Sequence, residues 1–343
     1  MKKIISLALL AVMSLCIIAG CASNSDASSE AAAPDTSAAD TAEKTTVRVG
    51  ALNGPTAMGM VKLMDDDEAN ATANDYEFTV AAAIDEVTPK IVQGELDIAA
   101  VPANMSSVLY NNTDGAIDVL AVNTLGVLYI VETGDTVQSV EDLRGKTIYA
   151  SGKGATPEYA LNYILRENGI DPEKDVTIEY KSEHAECVTA ITSAENGIAM
   201  LPQPFVTTAQ TKNEDIRIAL DLTKEWENVQ KDATEKSAMI TGVVVVRKAF
   251  LEENSDAVNT FLTEYKASIE YVNSNVDAAA ELIGEYNIVP APVAKKALPY
   301  CNITFVEGDD MKTQLRGYLN TLLEQNPKSI GGKLPDDSFY YSR

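Results

Sequence analysis

The stretch Thr46-Val47-Arg48-Val49-Gly50-Ala51-Leu52-Asn53-Gly54-Pro55-Thr56 holds the pattern from which the rest of the chain can be read. Residues 46–52 alternate as a β-strand does. Asn53-Gly54 turns the chain, and Pro55 starts a helix, because the missing proline N–H is not needed in a first turn. Met58, Val61, Leu63 and Met64 give that helix its apolar residues, ahead of Asp65–Glu68, read as a solvated helix end. A strand near Tyr76–Ala82 and a short helix from Thr88-Pro89, stopped by Gly94, then lead to Leu96–Val101. This last run is almost wholly apolar and of strand length, as expected for a strand covered on both faces. The succession is that of a parallel α/β unit.

The same order returns roughly one hundred residues later. Thr147–Ala150 is a strand, Ser151–Thr156 a glycine-containing turn, and Pro157 begins a helix lined by Leu161, Ile164 and Leu165 and ended by Gly169. A strand at Val176–Tyr180 and a helix from Ala185 to Asn196 lead to Gly197 and the apolar strand Ile198–Leu201. Pro55 answers to Pro157, Gly94 to Gly197, and Val101-Pro102 to Leu201-Pro202. Three landmarks in order predict two similarly built α/β lobes. Between the passes lies the β-rich run Ile117–Val131, and Thr241–Arg247, with four successive valines, is another. Two β crossings mean that the chain leaves lobe one, builds lobe two and returns. Helices follow: one with Ser255 as N-cap and Val258, Phe261, Leu262, Tyr265, Ile269 and Val272 at 3/4 spacing, another with Met311, Leu315, Leu319, Leu322 and Leu323.

Ahead of the strand at Thr46, Lys2 and Lys3 precede an apolar run from Ile4 to Ala19, then Gly20 and Cys21. A spanning helix needs about 20 apolar residues, and this run is shorter, so residues 1–20 read as a secretory signal. Ile18-Ala19-Gly20-Cys21 resembles the bacterial lipobox, in which the cysteine thiol is lipidated and the peptide is cut before it. Residues 21–45 contain nothing to bury and read as a disordered tether from Cys21. The expected division is then lobe one at 46–126, lobe two at 127–239, and a return to lobe one with C-terminal helices at 240–343. Loss of residues 1–20 leaves 25 basic against 51 acidic side chains, a net charge of −26. Such a surface disfavours nucleic acid and leaves attachment to an anionic membrane to the lipid. Cys187 and Cys301 then remain, too few for a disulfide framework and expected to be buried free thiols.

These residues resemble the bacterial solute-binding proteins of ABC importers, in the nitrate, taurine, aliphatic-sulfonate and thiamine-precursor branch. The resemblance runs from Thr46 to about Lys328. It is carried by residues 49–56, by Gly94-Glu95-Leu96-Asp97-Ile98-Ala99, by Glu141-Asp142-Leu143-Arg144-Gly145-Lys146-Thr147-Ile148, and by Leu201-Pro202-Gln203-Pro204-Phe205. It implies a two-lobed type II periplasmic-binding fold and a small-molecule ligand held between closing lobes. It further implies a permease and its ATPase as partners, a monomer, no cofactor and a lipid-anchored place on the outer face of the cell membrane.

The expected site follows from physics as well. In open α/β sheets ligands bind beyond the carboxyl ends of the strands, where helix starts offer free N–H groups and partial positive charge. Asn53, Gly54 and Thr56, with Pro102 and Asn104, would serve from lobe one. Ser151, Lys153, Gly154 and Thr156, with Gln203, would serve from lobe two. Asn123, Thr124 and Thr241 would line the floor. Each loop also has a plainer reading, as a turn or cap in residues 53–56 and as a solvated turn in Gly152-Lys153-Gly154. Core packing suits Trp226 better than stacking on a ligand, and His184 reads as an ordinary polar residue at a helix start. His184 is the sole histidine, and neither His-Glu-x-x-His nor Gly-x-Ser-x-Gly occurs, so no catalytic residue or metal site is expected. Lys153 is the one cation among these loops, which favours a monoanion, a zwitterion or a neutral heterocycle over a doubly charged anion. A surface sensor or scavenger on the same fold is the alternative, and a lyase or synthase of that fold a more distant one.

Overall fold

The computed structural model describes residues 44–232 and 237–343. The expected signal segment, Cys21 and the tether up to residue 43 lie outside the described residues. Among the described residues eleven strands follow one another: β1 (Thr46–Leu52), β2 (Asp75–Ala81), β3 (Ile98–Pro102), β4 (Ile117–Leu125), β5 (Leu128–Thr133), β6 (Thr147–Ser151), β7 (Thr177–Lys181), β8 (Ile198–Pro202), β9 (Ile216–Asp221), β10 (Ile240–Arg247) and β11 (Ile303–Val306). They form a six-stranded sheet of order β11-β4-β10-β3-β1-β2 and a five-stranded sheet of order β7-β6-β8-β5-β9. Reading β6 for β1, β7 for β2, β8 for β3, β5 for β10 and β9 for β4 turns one order into the other, apart from the added edge strand β11. The duplication read from Pro55/Pro157 and Gly94/Gly197 is a duplication of topology. In both sheets the three strands of the βαβ units are parallel and β10 or β5 runs against them, as does the edge strand β11 of the larger sheet.

Side-chain alternation shows why these segments are strands. Along β3, Ala99 and Val101 enter one hydrophobic cluster while Ile98 and Ala100 enter another on the opposite face. The valine run of β10 divides the same way, Val243 and Val245 to one side and Val244 and Val246 to the other. Both strands are covered by helices on both faces, and so lack the polar alternation of a half-exposed strand. At the far end of this sheet Asp97, 1% exposed, takes Nη2 of Arg48 at 2.6 Å and Nη2 of Arg247 at 2.7 Å, tying β1, β3 and β10 together. Burial alone would raise the Asp97 carboxyl; hydrogen bonds from the two guanidinium groups outweigh it and hold the pKa below the usual range.

Several helix limits differ from the sequence reading. The helix ended by Gly94 begins at Ile84, not at Thr88, with Pro89 inside it. Its start is fixed by Glu86, whose side chain accepts from the N–H groups of Ala82 and Ala83 at 3.2 and 3.0 Å. The helix Ser255–Ser274 has Asn254, not Ser255, as its N-cap residue. The helix expected over Ala185–Asn196 spans His184–Thr192.

β4 and β5 belong to different sheets, and Gly126-Val127 is the passage between them. Gly126 is required there: a β-carbon would meet Oγ1 of Thr223, and Met239 Cε at 2.6 Å. β10 lies wholly inside the first sheet, so the return passage is made ahead of Ile240 and not along the valine run. Trp226 is fully buried beside these passages, 4.6 Å from the Tyr163 ring and 5.4 Å from the Tyr318 ring, and its indole N–H donates to the Ser237 carbonyl at 2.9 Å. It packs in the core. Cys187 and Cys301 are buried and free. Burial pushes the Cys187 thiol up to about 11 and the Cys301 thiol higher still.

Candidate functional site

The carboxyl ends of β1, β3, β6, β7 and β8 converge on a cavity of about 90 Å³. Leu52, Asn53, Pro55, Thr56 and Pro102 line it from the first sheet, Pro157, His184 and Pro202 from the second. Its floor is made beside the crossings, by Thr124, Thr241 and Gly242 of the first sheet, Val127 of the passage and Leu128 of the second. A residue larger than glycine at 242 would press on the side chains of Asn123, Thr124 and Thr56, so the floor is flat because Gly242 is there. Four helices of eight or more residues begin around the cavity, at Ala103, Thr156, His184 and Phe205. First-turn N–H groups of a helix lack intrahelical partners and can donate to a ligand.

The side chains supply the opposite kind of group. The Thr56 hydroxyl donates to the Leu52 carbonyl at 2.8 Å, that of Thr124 to Asn123 Oδ1 at 3.2 Å, and that of Thr241 to the Leu125 carbonyl. With their hydrogens engaged, these three oxygens have only lone pairs left to offer. Asn53 Oδ1 is buried without a hydrogen-bond partner, and the backbone N–H of Asn53 donates to the Ala81 carbonyl at 2.8 Å. Among the described residues no Lys or Arg lines the cavity. The site therefore joins backbone donors to side-chain acceptors within walls of proline, leucine and valine.

Five sequence candidates, Asn53, Thr56, Pro102, Thr124 and Thr241, meet at this cavity. Gly54 caps the short helix Pro55–Met58 with φ of 135°, a conformation glycine adopts without strain. Asn123 lies below the floor, its amide donating to the Tyr265 hydroxyl at 3.1 Å. Asn104 is fully buried but spans the lobes instead of lining the cavity. Its Nδ2 donates to the carbonyls of Gly154 at 3.2 Å and Ser329 at 2.9 Å, and its Oδ1 accepts from the Thr156 hydroxyl at 3.3 Å. Lys153 is exposed, with Nζ 5.7 Å from the centre of the Tyr180 ring, away from the cavity. Gln203 also turns elsewhere: its Oε1 accepts from the backbone N–H and the hydroxyl of Thr207, at 3.3 and 2.9 Å. A glutamine four residues ahead of a threonine at a helix start can satisfy that start, and here it does so.

His184 is the residue the sequence reading passed over. Nδ1 of its ring shares a hydrogen bond with the hydroxyl of Ser151, itself 2% exposed, and the ring lies against Phe205 with centroids 5.0 Å apart. Burial lowers the imidazole pKa to about 4, so the ring is neutral at physiological pH. Its position was legible, since it starts the helix after a parallel strand as the other candidates do. Its partner Ser151 is 33 residues away and was not. Among the described residues no cluster of His, Cys, Asp and Glu could hold a metal ion, and no helix is long and apolar enough to cross a membrane.

Solved structures share this architecture. An ABC transporter protein from Parabacteroides distasonis superposes with a TM-score of 0.70 at 21% identity, covering 88% of this chain and 100% of that one. The periplasmic aliphatic sulphonate-binding protein of Escherichia coli gives 0.67 at 15% identity, over 84% of this chain and 96% of that one. The periplasmic nitrate-binding protein of Synechocystis gives 0.64 at 14% identity, over 84% of each chain. At these identities the likeness shows the type II periplasmic-binding fold. A search of curated proteins finds no match. A family model described as the phosphonate periplasmic substrate-binding protein of ABC transporters matches residues 69–290, more than half of the chain. The chain belongs to this family, the substrate-binding components that serve ABC importers.

Proposed function

We propose that this chain is a monomeric, lipid-anchored solute-binding protein on the outer face of the cell membrane, and that its ligand is a small polar molecule with at most one negative charge. Cys21 is the lipid attachment site, residues 21–45 are the tether, and the protein hands its ligand to a permease driven by an ATPase. Residues 46–126 and 240–343 form one closing body, and residues 127–239 form the other. Asn53, Thr56, Pro102, Thr124, Thr241 and His184 touch the ligand. One observation carries this reading: the cavity between the lobes combines helix-start donors with acceptor side chains, and among the described residues no cationic side chain lines it. A dianion would meet lone pairs without a compensating charge, whereas a monoanion, a zwitterion or a heterocycle bearing N–H or O–H groups would satisfy both sets.

Native mass spectrometry of the purified protein, followed by calorimetric titration of whatever it carries, tests the ligand. Asn53→Ala should weaken binding by about 1–3 kcal/mol, the cost of a lost buried hydrogen bond, and Lys153→Ala should leave it nearly unchanged. Loss of affinity in Lys153→Ala with none in Asn53→Ala would place the site elsewhere. The anchor is tested separately: Cys21→Ala should release the protein to the medium or leave it uncleaved, because the acidic surface offers no other hold on an anionic membrane. A correctly cut Cys21→Ala protein that stays on the membrane contradicts the anchor.

A further inference from the structure

Beside the ligand cavity lies a second, larger space of about 270 Å³, open between the helices that start at His184 and Phe205 and the residues 284–290 of the other lobe. Val188, Phe205, Ile288, Val289 and Pro290 give it mainly apolar walls, with Lys212 and Asn287 as the polar part. The two spaces share no lining residue, but each is bounded by one member of a single pair of rings. His184 lines the cavity, Phe205 lines the groove, and their centroids are 5.0 Å apart with 43° between the planes. The far edge of the Phe205 ring reaches lobe one, where Cε2 lies 4.0 Å from the place a β-carbon would take on Gly54. The wall therefore runs from the helix starts of lobe two to the first turn of lobe one. His184 is held in it by Ser151, while Phe205 is held only by packing, against the cluster that includes Val206 and Leu201.

We propose that Phe205 sets the size limit of the ligand. The phenyl ring backs the His184 imidazole and fills the space between it and Gly54, and a smaller residue at 205 opens a way past His184 from the cavity into the groove. The joined space would accept a head group carrying an alkyl tail, which the groove walls match in polarity. This rests on the reading of the cavity as the ligand site. In an apolar pocket one methylene changes affinity by about ten-fold or more, so the loss of the ring is readable as a change in preferred chain length.

The test uses the full chain and two probe series in their singly charged form, straight-chain alkanesulfonates and alkylphosphonates from methyl to hexyl. Wild type is expected to favour the shortest members. Phe205→Ala should raise the affinity ratio of hexyl over methyl by at least about ten-fold in whichever series binds. Phe205→Leu, a milder change that guards against a folding defect in the alanine variant, should shift the ratio the same way by less. A chain-length profile identical in wild type and both variants overturns the size limit. Binding of the longer members by Phe205→Ala alone supports it. Native mass spectrometry of wild type separates the two layers of argument. A small molecule carried by wild type beside an unchanged profile removes the role of Phe205 and leaves the ligand site standing. No carried molecule, and no binding of any probe by any variant, removes both.

Discussion

At the scale of single residues, charge and its absence divide the molecule. Asp97 and Glu132 are buried carboxylates paired with guanidinium groups, Glu132 with Arg217 at 2.7 Å, and both lie below the usual carboxylate range: burial is outweighed at Asp97 by the hydrogen bonds of Arg48 and Arg247, and at Glu132 by those of the Thr136 hydroxyl and the N–H groups of Thr136 and Val137, with Arg217 adding to them. Asp118 is the contrasting case. It is 5% exposed, its Oδ1 has no hydrogen-bond partner, and the Nζ of Lys248 is 4.0 Å away, so burial raises its pKa to about 6. A carboxyl raised in the folded state above its unfolded value costs nothing while both states are protonated. Its cost grows as pH rises from about 4 through 6 and is complete above that. Asp118→Asn should thus stabilise the protein by about 1–3 kcal/mol at pH 7, and the gain should vanish below pH 4. Urea titrations of both proteins at a series of pH values check this; equal stability at pH 7 would mean that the Asp118 carboxylate finds solvation after all. Nothing in the sequence around Asp118 marks it, because the cost arises from what is packed over it. The same holds for Lys153 and Gln203, whose types suit a ligand but whose directions are set by Tyr180 and Thr207.

At the scale of elements, the parts legible in sequence were those fixed by local chemistry. β1 spans Thr46–Leu52 as the alternation requires, and Pro55, Pro157 and Gly94 stand at the helix ends they announce. What escaped depended on distant partners. The helix at Ile84 begins before its proline because Glu86 satisfies its start, and the valine run of β10 is central to one sheet because β3 and β4 flank it. Gly126 gives this dependence a test. Alanine there collides with Thr223 and Met239, and overpacking of this kind costs about 1–3 kcal/mol. Because the hydroxyl of Thr223 is the atom in the way, Thr223→Ala should recover part of the loss, so that the double variant is more stable than the two single changes added together. Strict additivity in chemical denaturation would show that the passage accommodates a side chain by moving.

At the scale of the whole molecule, the proposed site depends on both sheets, because the cavity is lined from each of them. Neither half has a complete cavity: the first sheet brings Asn53, Thr56, Pro102 and the floor residues Thr124, Thr241 and Gly242, the second brings Leu128, Pro157, His184 and Pro202, and Val127 stands in the passage between them. A ligand that bonds to both halves favours the closed arrangement by contacts an open one does not make. Asn104 contributes to the same equilibrium without lining the cavity, since its amide joins lobe one to the Gly154 carbonyl and the Thr156 hydroxyl of lobe two. Asn104→Ala should therefore weaken ligand binding by about 1–2 kcal/mol, roughly ten-fold, through loss of two interlobe hydrogen bonds. Because closure holds the ligand in, the effect should fall on the dissociation rate, with association nearly unchanged. Stopped-flow binding separates the two rates, and small-angle scattering of the ligand-free protein should show a more open average shape in the variant. A slower association at constant dissociation would mean that Asn104 shapes the open cleft, and its interlobe bonds would then be a consequence of closure instead of a cause.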